Sequence, residues 1–189
     1  MALLPNLEDY KAIVIGGSAG SFQVVSAIVE ALPANFPIPV IFCLHRLRNI
    51  REGFVEALQF KSKMPVVEPY DKQKIKPGFI YLAPANYHLS VEIGNTFAIS
   101  SEDLVNFSRP SIDISFISVA YTYKHKAIGI ILSGANKDGA TGIKKVQLQG
   151  GFTIVQDPTE ATIKTMPDSA LALIKPDRVL KTQAIIEFL

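Results

Sequence analysis

Short, nearly unbroken apolar runs, set apart by helix-length stretches, constrain this chain more than any other feature of its sequence. They are Lys11–Ile15 (KAIVI), Pro39–His45 (PVIFCLH), Phe79–Ala83 (FIYLA), Ala127–Leu132 (AIGIIL) and Phe152–Gln156 (FTIVQ). Runs of this kind suit strands covered on both faces, as in a parallel sheet. Behind the first run Val25, Ile28, Val29 and Leu32 recur at helical spacing, and Pro33 stops the helix. Gly53–Phe60 reads as a helix and Val66-Val67 as a short strand. Pro110-Ser111 caps a helix carrying Ile112, Phe116, Val119, Ala120 and Tyr123 on one face. After the polar loop Ser133–Gly139 another helix runs through about Gln149. Two short helices and a brief strand near Val179 close the chain.

One segment breaks the pattern. His88–Ile93 and Thr96–Ser100 alternate apolar and polar around Gly94-Asn95, which predicts an antiparallel hairpin. The expected fold is therefore α/β: a doubly wound, mostly parallel sheet with helices on both faces and one inserted hairpin, three-layered and Rossmann-like. No repeat or linker divides the sequence, so residues 1–189 read as a single domain with a core over about 10–180.

Composition removes several function classes. With 48% hydrophobic residues and a mean hydropathy of +0.25, the chain has enough apolar surface for a full core, which excludes intrinsic disorder. A net charge of +2, spread along the chain, is no footprint for nucleic acid or an anionic membrane. No apolar run approaches the roughly 18–20 residues of a membrane span. The N-terminal MALLPNLEDYKAIVIGGSAG lacks a basic region and reads as a strand entering a turn, not as a signal peptide. Cys43, the single cysteine, and three scattered histidines offer neither a disulfide nor a metal-ligand spacing, so no metal is expected and a reducing cytoplasmic setting is.

Ligands of open α/β sheets bind beyond the carboxyl ends of the strands. Three reactive side chains leave strands there: Ser18 after the first, His45 at the end of the second, and Asp138 in the loop after Ala127–Leu132. Ser18 lies in Gly16-Gly17-Ser18-Ala19-Gly20, a G-x-S-x-G turn able to lift a nucleophilic hydroxyl clear of the sheet, with a helix N-terminus behind it. The same turn could instead bind phosphate or merely connect. The dinucleotide fingerprint fails, since Ser18 and Ser21 stand where glycines are needed, and the Walker lysine is absent. His45 is the geometric favourite for a base; His88 opens the hairpin near the site edge, and His125 falls at the opposite edge. Asp138 and Asp157 both follow strands at the correct edge, with helix capping and turn opening as their structural alternatives. Cys43 reads as a buried apolar residue.

Ser18, His45 and Asp138 come in the order Ser…His…Asp, unlike the Ser…Asp…His of α/β-hydrolases. From about Tyr10 to Val179 the sequence resembles the catalytic domain of the chemotaxis protein-glutamate methylesterases, the CheB family. The stretches AIVIGGSAGS, IFCLH, FIYLAPANYHL, SRPSIDISF, GIILSGANKDGATG and IVQDPTEATIKTMPDSAL carry the resemblance. It implies a cytoplasmic serine esterase that hydrolyses γ-glutamyl methyl esters on the methylated cytoplasmic helices of chemoreceptors and deamidates certain receptor glutamines. Ser18 would be the nucleophile, His45 the general base and acid, and Asp138 the partner of the imidazole. The Ala19 amide and one from Gly134, Ala135 or Asn136 would form the oxyanion hole. No metal or organic cofactor, nucleic acid or membrane insertion is implied.

Three departures stand out. Ala19 replaces the family's usual threonine, and Ala135 replaces a methionine that packs near the pocket, a change expected to enlarge the pocket or alter its substrate. Typical members also carry an N-terminal receiver domain, whereas about ten residues precede the first strand here. The expectation is a stand-alone catalytic domain controlled, if at all, by a separate receiver or regulatory protein. The competing reading is a catalytically weakened binding module of the same fold in a sensory signalling complex.

Overall fold

Parallel strands carry the architecture. A computed structural model of the protein describes residues 6–46 and 53–189. In it β1 (Ala12–Gly17), β2 (Val40–Leu44), β3 (Val66–Val67), β4 (Ile80–Leu82), β7 (Ala127–Ile131), β8 (Phe152–Gln156) and β9 (Arg178–Leu180) form one sheet in the order β3-β4-β2-β1-β7-β8-β9. Every pairing in it is parallel. The expected hairpin is present as a separate two-stranded sheet, β5 (His88–Glu92) against β6 (Thr96–Ser100). Asn95 closes its turn with φ +59°.

The apolar runs lack alternation because both faces are covered. Ala12 and Val14 of β1 face one core, and Ile13 and Ile15 face the other. On the first face lie α3 (Ile112–Tyr123), α4 (Ala140–Leu148), α5 (Thr165–Leu173) and the hairpin. On the second lie α1 (Phe22–Ala31), α2 (Phe54–Lys61) and α6 (Thr182–Phe188). Val25, Ile28 and Val29 of α1 are buried there, as their spacing predicts. The reading of the N-terminus as lacking a signal peptide falls partly on residues 1–5, outside the described residues.

Strand order fixes where a site belongs. From β1 the chain winds outward through β2 to β4 and β3, then returns to β7 on the other side of β1 and winds away through β8 and β9. The connections leaving β1 and β7 therefore run to opposite faces, α1 to one and α4 to the other. A crevice opens between them at the carboxyl edge, the usual binding position in a doubly wound sheet.

The first turn differs from its expected form. Gly16 and Gly17 lie within β1, not in the turn, and only Gly20 has a positive φ, +81°. A Cβ on Gly16 would collide with Ile112 Cγ2, and one on Gly17 would stand 2.7 Å from Ser21 Oγ. These two glycines serve close packing of α3 and of the turn against the strand; Gly20 alone supplies the left-handed backbone.

Candidate active site

Register brings Ser18 and His45 together. β1 and β2 pair in parallel with Gly17 opposite Leu44, so the next residues, Ser18 and His45, leave adjacent strands side by side. The His45 amide donates to Gly17 O at 3.1 Å and the Ser18 amide to Ser133 O at 2.9 Å. The turn is tightened by Ser21, whose amide and hydroxyl both donate to Ser18 O, at 3.0 and 2.7 Å. Ser133 Oγ donates to Ala19 O at 2.9 Å, tying the turn to the end of β7. Among the described residues Ser18 Oγ makes no hydrogen bond, and the fold makes no use of it. Serine and imidazole are neighbours whose own bond is not formed, as is common before substrate arrives.

Asp138 is fully buried and reaches the imidazole directly, with His45 Nε2 at 2.8 Å from Oδ2. Its carboxylate collects four further donors: Ile112 N at 2.7 Å on Oδ2, and Asn106 Nδ2 at 3.0 Å, Ser111 Oγ at 3.0 Å and Asp113 N at 3.1 Å on Oδ1. Two of these are first-turn amides of α3, so Asp138 sits on that helix's positive end. Burial alone would raise its pKa; the bonds from His45, Asn106, Ile112 and Asp113 outweigh burial and hold it below the ordinary carboxylate value. An ionised Asp138 accepts from Nε2–H, which fixes the neutral imidazole with Nδ1 as its basic nitrogen.

The capping alternative for Asp138 is thus half right. It caps a helix, though not the one that follows it. The helix it precedes, α4, is capped instead by Asp113 of α3, whose Oδ1 accepts from Gly139 N at 3.0 Å and Gly142 N at 2.6 Å. The two helices exchange carboxylates across their N-termini. Asn106 bridges the pair, its Nδ2 donating to Asp113 Oδ2 at 2.8 Å as well as to Asp138. Burial, with Asp138's charge adding to it, pushes Asp113 above its ordinary value. Sequence reasoning missed both Asp113 and Asn106; the available signal was the acidic residue in the first turn after Ser111, the N-cap whose hydroxyl accepts from Ile114 N at 3.4 Å.

The remaining candidates separate cleanly. His88 is buried, accepts from Ser111 N on Nδ1 at 3.1 Å and donates from Nε2 to Asp103 O at 2.9 Å. That makes it a neutral strut beneath α3. His125 lies exposed in a short 3-10 turn before β7, at the opposite edge. Asp157 is a turn former, accepting from the Thr159 amide and hydroxyl at 2.8 and 2.7 Å. Cys43 is wholly buried and burial pushes its thiol up to about 12, so it is inert. Among the expected oxyanion donors, Gly134 drops out because its amide already donates to Ile163 O at 3.0 Å. The amides of Ala19, Ala135 and Asn136 have no partner among the described residues. No group of acidic, histidine or cysteine side chains fit for a metal occurs among those residues.

This arrangement suits acyl transfer: an unengaged serine on a turn, an imidazole held by a buried carboxylate, and nearby loop amides without a partner among the described residues. A family described as CheB methylesterase matches residues 13–189. The chain belongs to the CheB methylesterase family. A Leptospira interrogans relative is 42% identical over 179 residues, covering 95% of this chain and 93% of its own length. The protein-glutamate methylesterase/protein-glutamine glutaminase of Thermotoga maritima is 34% identical over 180 residues, of which this chain spans 52% of the length. The crystal structure of the Thermotoga maritima CheB methylesterase catalytic domain superposes with a TM-score of 0.89 at 33% identity, covering 95% of this chain and 99% of that one. The CheB fold is thus this chain's fold, parallel sheet and inserted hairpin included.

Proposed function

We propose that this protein is a serine hydrolase that removes methyl esters from glutamyl side chains of a protein substrate, the methylated cytoplasmic regions of chemoreceptors. The observation that carries this reading is the 2.8 Å His45–Asp138 contact beside Ser18 in a CheB-family chain. Ser18 Oγ attacks the ester carbonyl while His45 Nδ1 takes its proton. The Ala19 amide and one of Ala135 or Asn136 receive the developing oxyanion. Collapse of the tetrahedral adduct breaks the bond to the methoxy oxygen, which leaves as methanol with the proton from Nδ1. Water then gives a proton to Nδ1 and attacks the glutamyl-Ser18 ester; collapse of that adduct returns the proton from Nδ1 to Ser18 Oγ and releases the glutamyl carboxylic acid, which ionises to solvent. Throughout, the ionised Asp138 stabilises the imidazolium and holds its orientation. The same cycle on a glutamine amide releases ammonia, which is the glutaminase reaction named for the relatives.

Among the described residues, no helix is long and apolar enough to cross a membrane. The direct test is methanol release from a methylated chemoreceptor cytoplasmic fragment by wild type and Ser18→Ala. Loss of a nucleophile acting in a triad should lower turnover about 10⁴–10⁶-fold. The variant should fold as wild type does, because Ser18 Oγ has no bond to lose among the described residues. Undiminished release by Ser18→Ala would refute the assignment.

A further inference from the structure

The turn Val105–Ser108, between β6 and α3, carries a residue the fold does not explain. Val105 and Ser108 exchange backbone bonds, at 3.2 Å from the Val105 amide and 2.9 Å from the Ser108 amide. Both central residues have positive φ, Asn106 at +50° and Phe107 at +61°. This is the mirror-image hairpin turn whose second central position ordinarily belongs to glycine. Asn106 has a reason to be there, since the turn aims its amide at both Asp113 and Asp138. Phe107 has none. A bulky side chain is strained at that φ, and its ring recovers nothing by packing because the residue is 96% exposed.

The turn that carries the ring is nonetheless braced. Asn136 Nδ2 donates to Ser108 Oγ at 3.3 Å, and His88 holds Asp103 O. Arg109 donates to the carbonyls of Ser101 and Glu102 at 2.6 and 2.8 Å and to Asn86 Oδ1 at 3.1 Å. Phe107 and the partly exposed Leu104 line an open cleft of about 780 Å³ with Asp103, Asn106, Asn136 and Lys137. Three of those six, Asn106, Asn136 and Lys137, either bond to Asp138 or precede it in its loop. The cleft adjoins the Asp138 loop through Asn136, whose amide is a candidate oxyanion donor, and it is too large for a glutamyl methyl ester alone.

We infer that this cleft is a substrate subsite in which Phe107 receives an apolar side chain of the polypeptide flanking the glutamyl ester. The inference rests on the esterase reading above and adds what selects the protein substrate. Preorganisation explains the strain: a ring carried on a braced turn leaves only its own rotamer to be ordered when it is covered by a partner. Contacts remote from the reacting carbonyl would then favour protein esters over small ones.

The test compares wild type, Phe107→Gly and Phe107→Leu on two substrates, a methylated chemoreceptor cytoplasmic fragment and N-acetylglutamate γ-methyl ester. For Phe107→Gly the ratio of kcat/KM between fragment and small ester should fall at least about tenfold, mainly through KM. Its melting temperature should rise as the strain is relieved, and Phe107→Leu should restore most of the ratio. An unchanged ratio overturns the inference. So does an equal loss on both substrates, which would make the turn a support of the triad, or a shift in oligomeric state by light scattering, which would make Phe107 a self-association contact. Binding of the fragment to Ser18→Ala, with and without Phe107→Gly, is read separately by calorimetry. If wild type cleaves neither ester the esterase reading fails, and this binding comparison still decides the docking role: equal affinities reject it.

Discussion

Replacing Asp138 by asparagine tests the electrostatic logic of the site most sharply, because the structure dictates which way the new amide turns. With its oxygen in place of Oδ1, the amide keeps the bonds from Asn106, Ser111 and Asp113, and its NH₂ faces Ile112 N–H and His45 Nε2–H. The imidazole escapes the donor–donor clash by moving its proton to Nδ1, which leaves one orphan, the Ile112 amide. With its oxygen in place of Oδ2, the NH₂ meets both Asn106 Nδ2 and the Asp113 amide, two orphans for one avoided. The first orientation is favoured, and it puts the proton on the nitrogen that must accept from Ser18. Activity should fall about 10³–10⁴-fold in kcat through the wrong tautomer. One buried amide left unpaired costs about 1–3 kcal/mol, and the weakened charge-assisted bonds add to it, so urea unfolding should report a loss of about 3 kcal/mol. This stability gap has a definite pH dependence. Asp138 titrates below its unfolded value, so its contribution is present above that value and is lost as pH falls through the folded one. Wild type and variant should therefore converge in acid. A folded Asp138→Asn protein within tenfold of wild-type kcat would refute the tautomer argument, and a stability gap that widens in acid would refute the assignment of charge.

Asp113→Ala removes the acceptor for the Gly139 and Gly142 amides and should cost about 2–4 kcal/mol in urea unfolding. Burial raises Asp113, so its contribution is full below the unfolded value and declines as pH rises through the folded one; the cost should be larger near about pH 4 than at neutral pH, and the opposite trend would count against the reading. Asp157→Asn touches an exposed turn and should leave methanol release unchanged; a loss exceeding that of Asp138→Asn would transfer the carboxylate role to it.

What the sequence disclosed and what it hid divide along contact range. β1, β2, β4, β7 and β8 were legible because burial on both faces writes itself as a continuous apolar run. The edge rule then placed Ser18, His45 and Asp138 together, and it set His125 apart for the same reason. Cys43 was legible as a core residue from its place in such a run. Gly16 and Gly17 were recognised but explained wrongly: both lie in the strand, and the clash that requires Gly16 comes from Ile112, almost a hundred residues away, while Ser21 crowds Gly17. Asp138's real partners are spread over Asn106 to Asp113, and no local spacing connects them. Gly134 looked like an available amide until the segment around Ile163 closed over it. Phe107 was invisible for a different reason: Asn-Phe does not announce a turn that Asn-Gly would have.

The exchange of carboxylates between α3 and α4 changes how chains of this kind should be compared once they diverge. Asp138 anchors the start of a helix whether or not any ester is ever cleaved, so selection for a stable fold alone would retain it. A descendant that had given up hydrolysis would still display an aspartate here and a histidine resting against it. Ser18 is under no such obligation, for its hydroxyl supports nothing among the described residues. In a lineage of such proteins, the serine is the witness to activity, and the aspartate testifies first to the architecture.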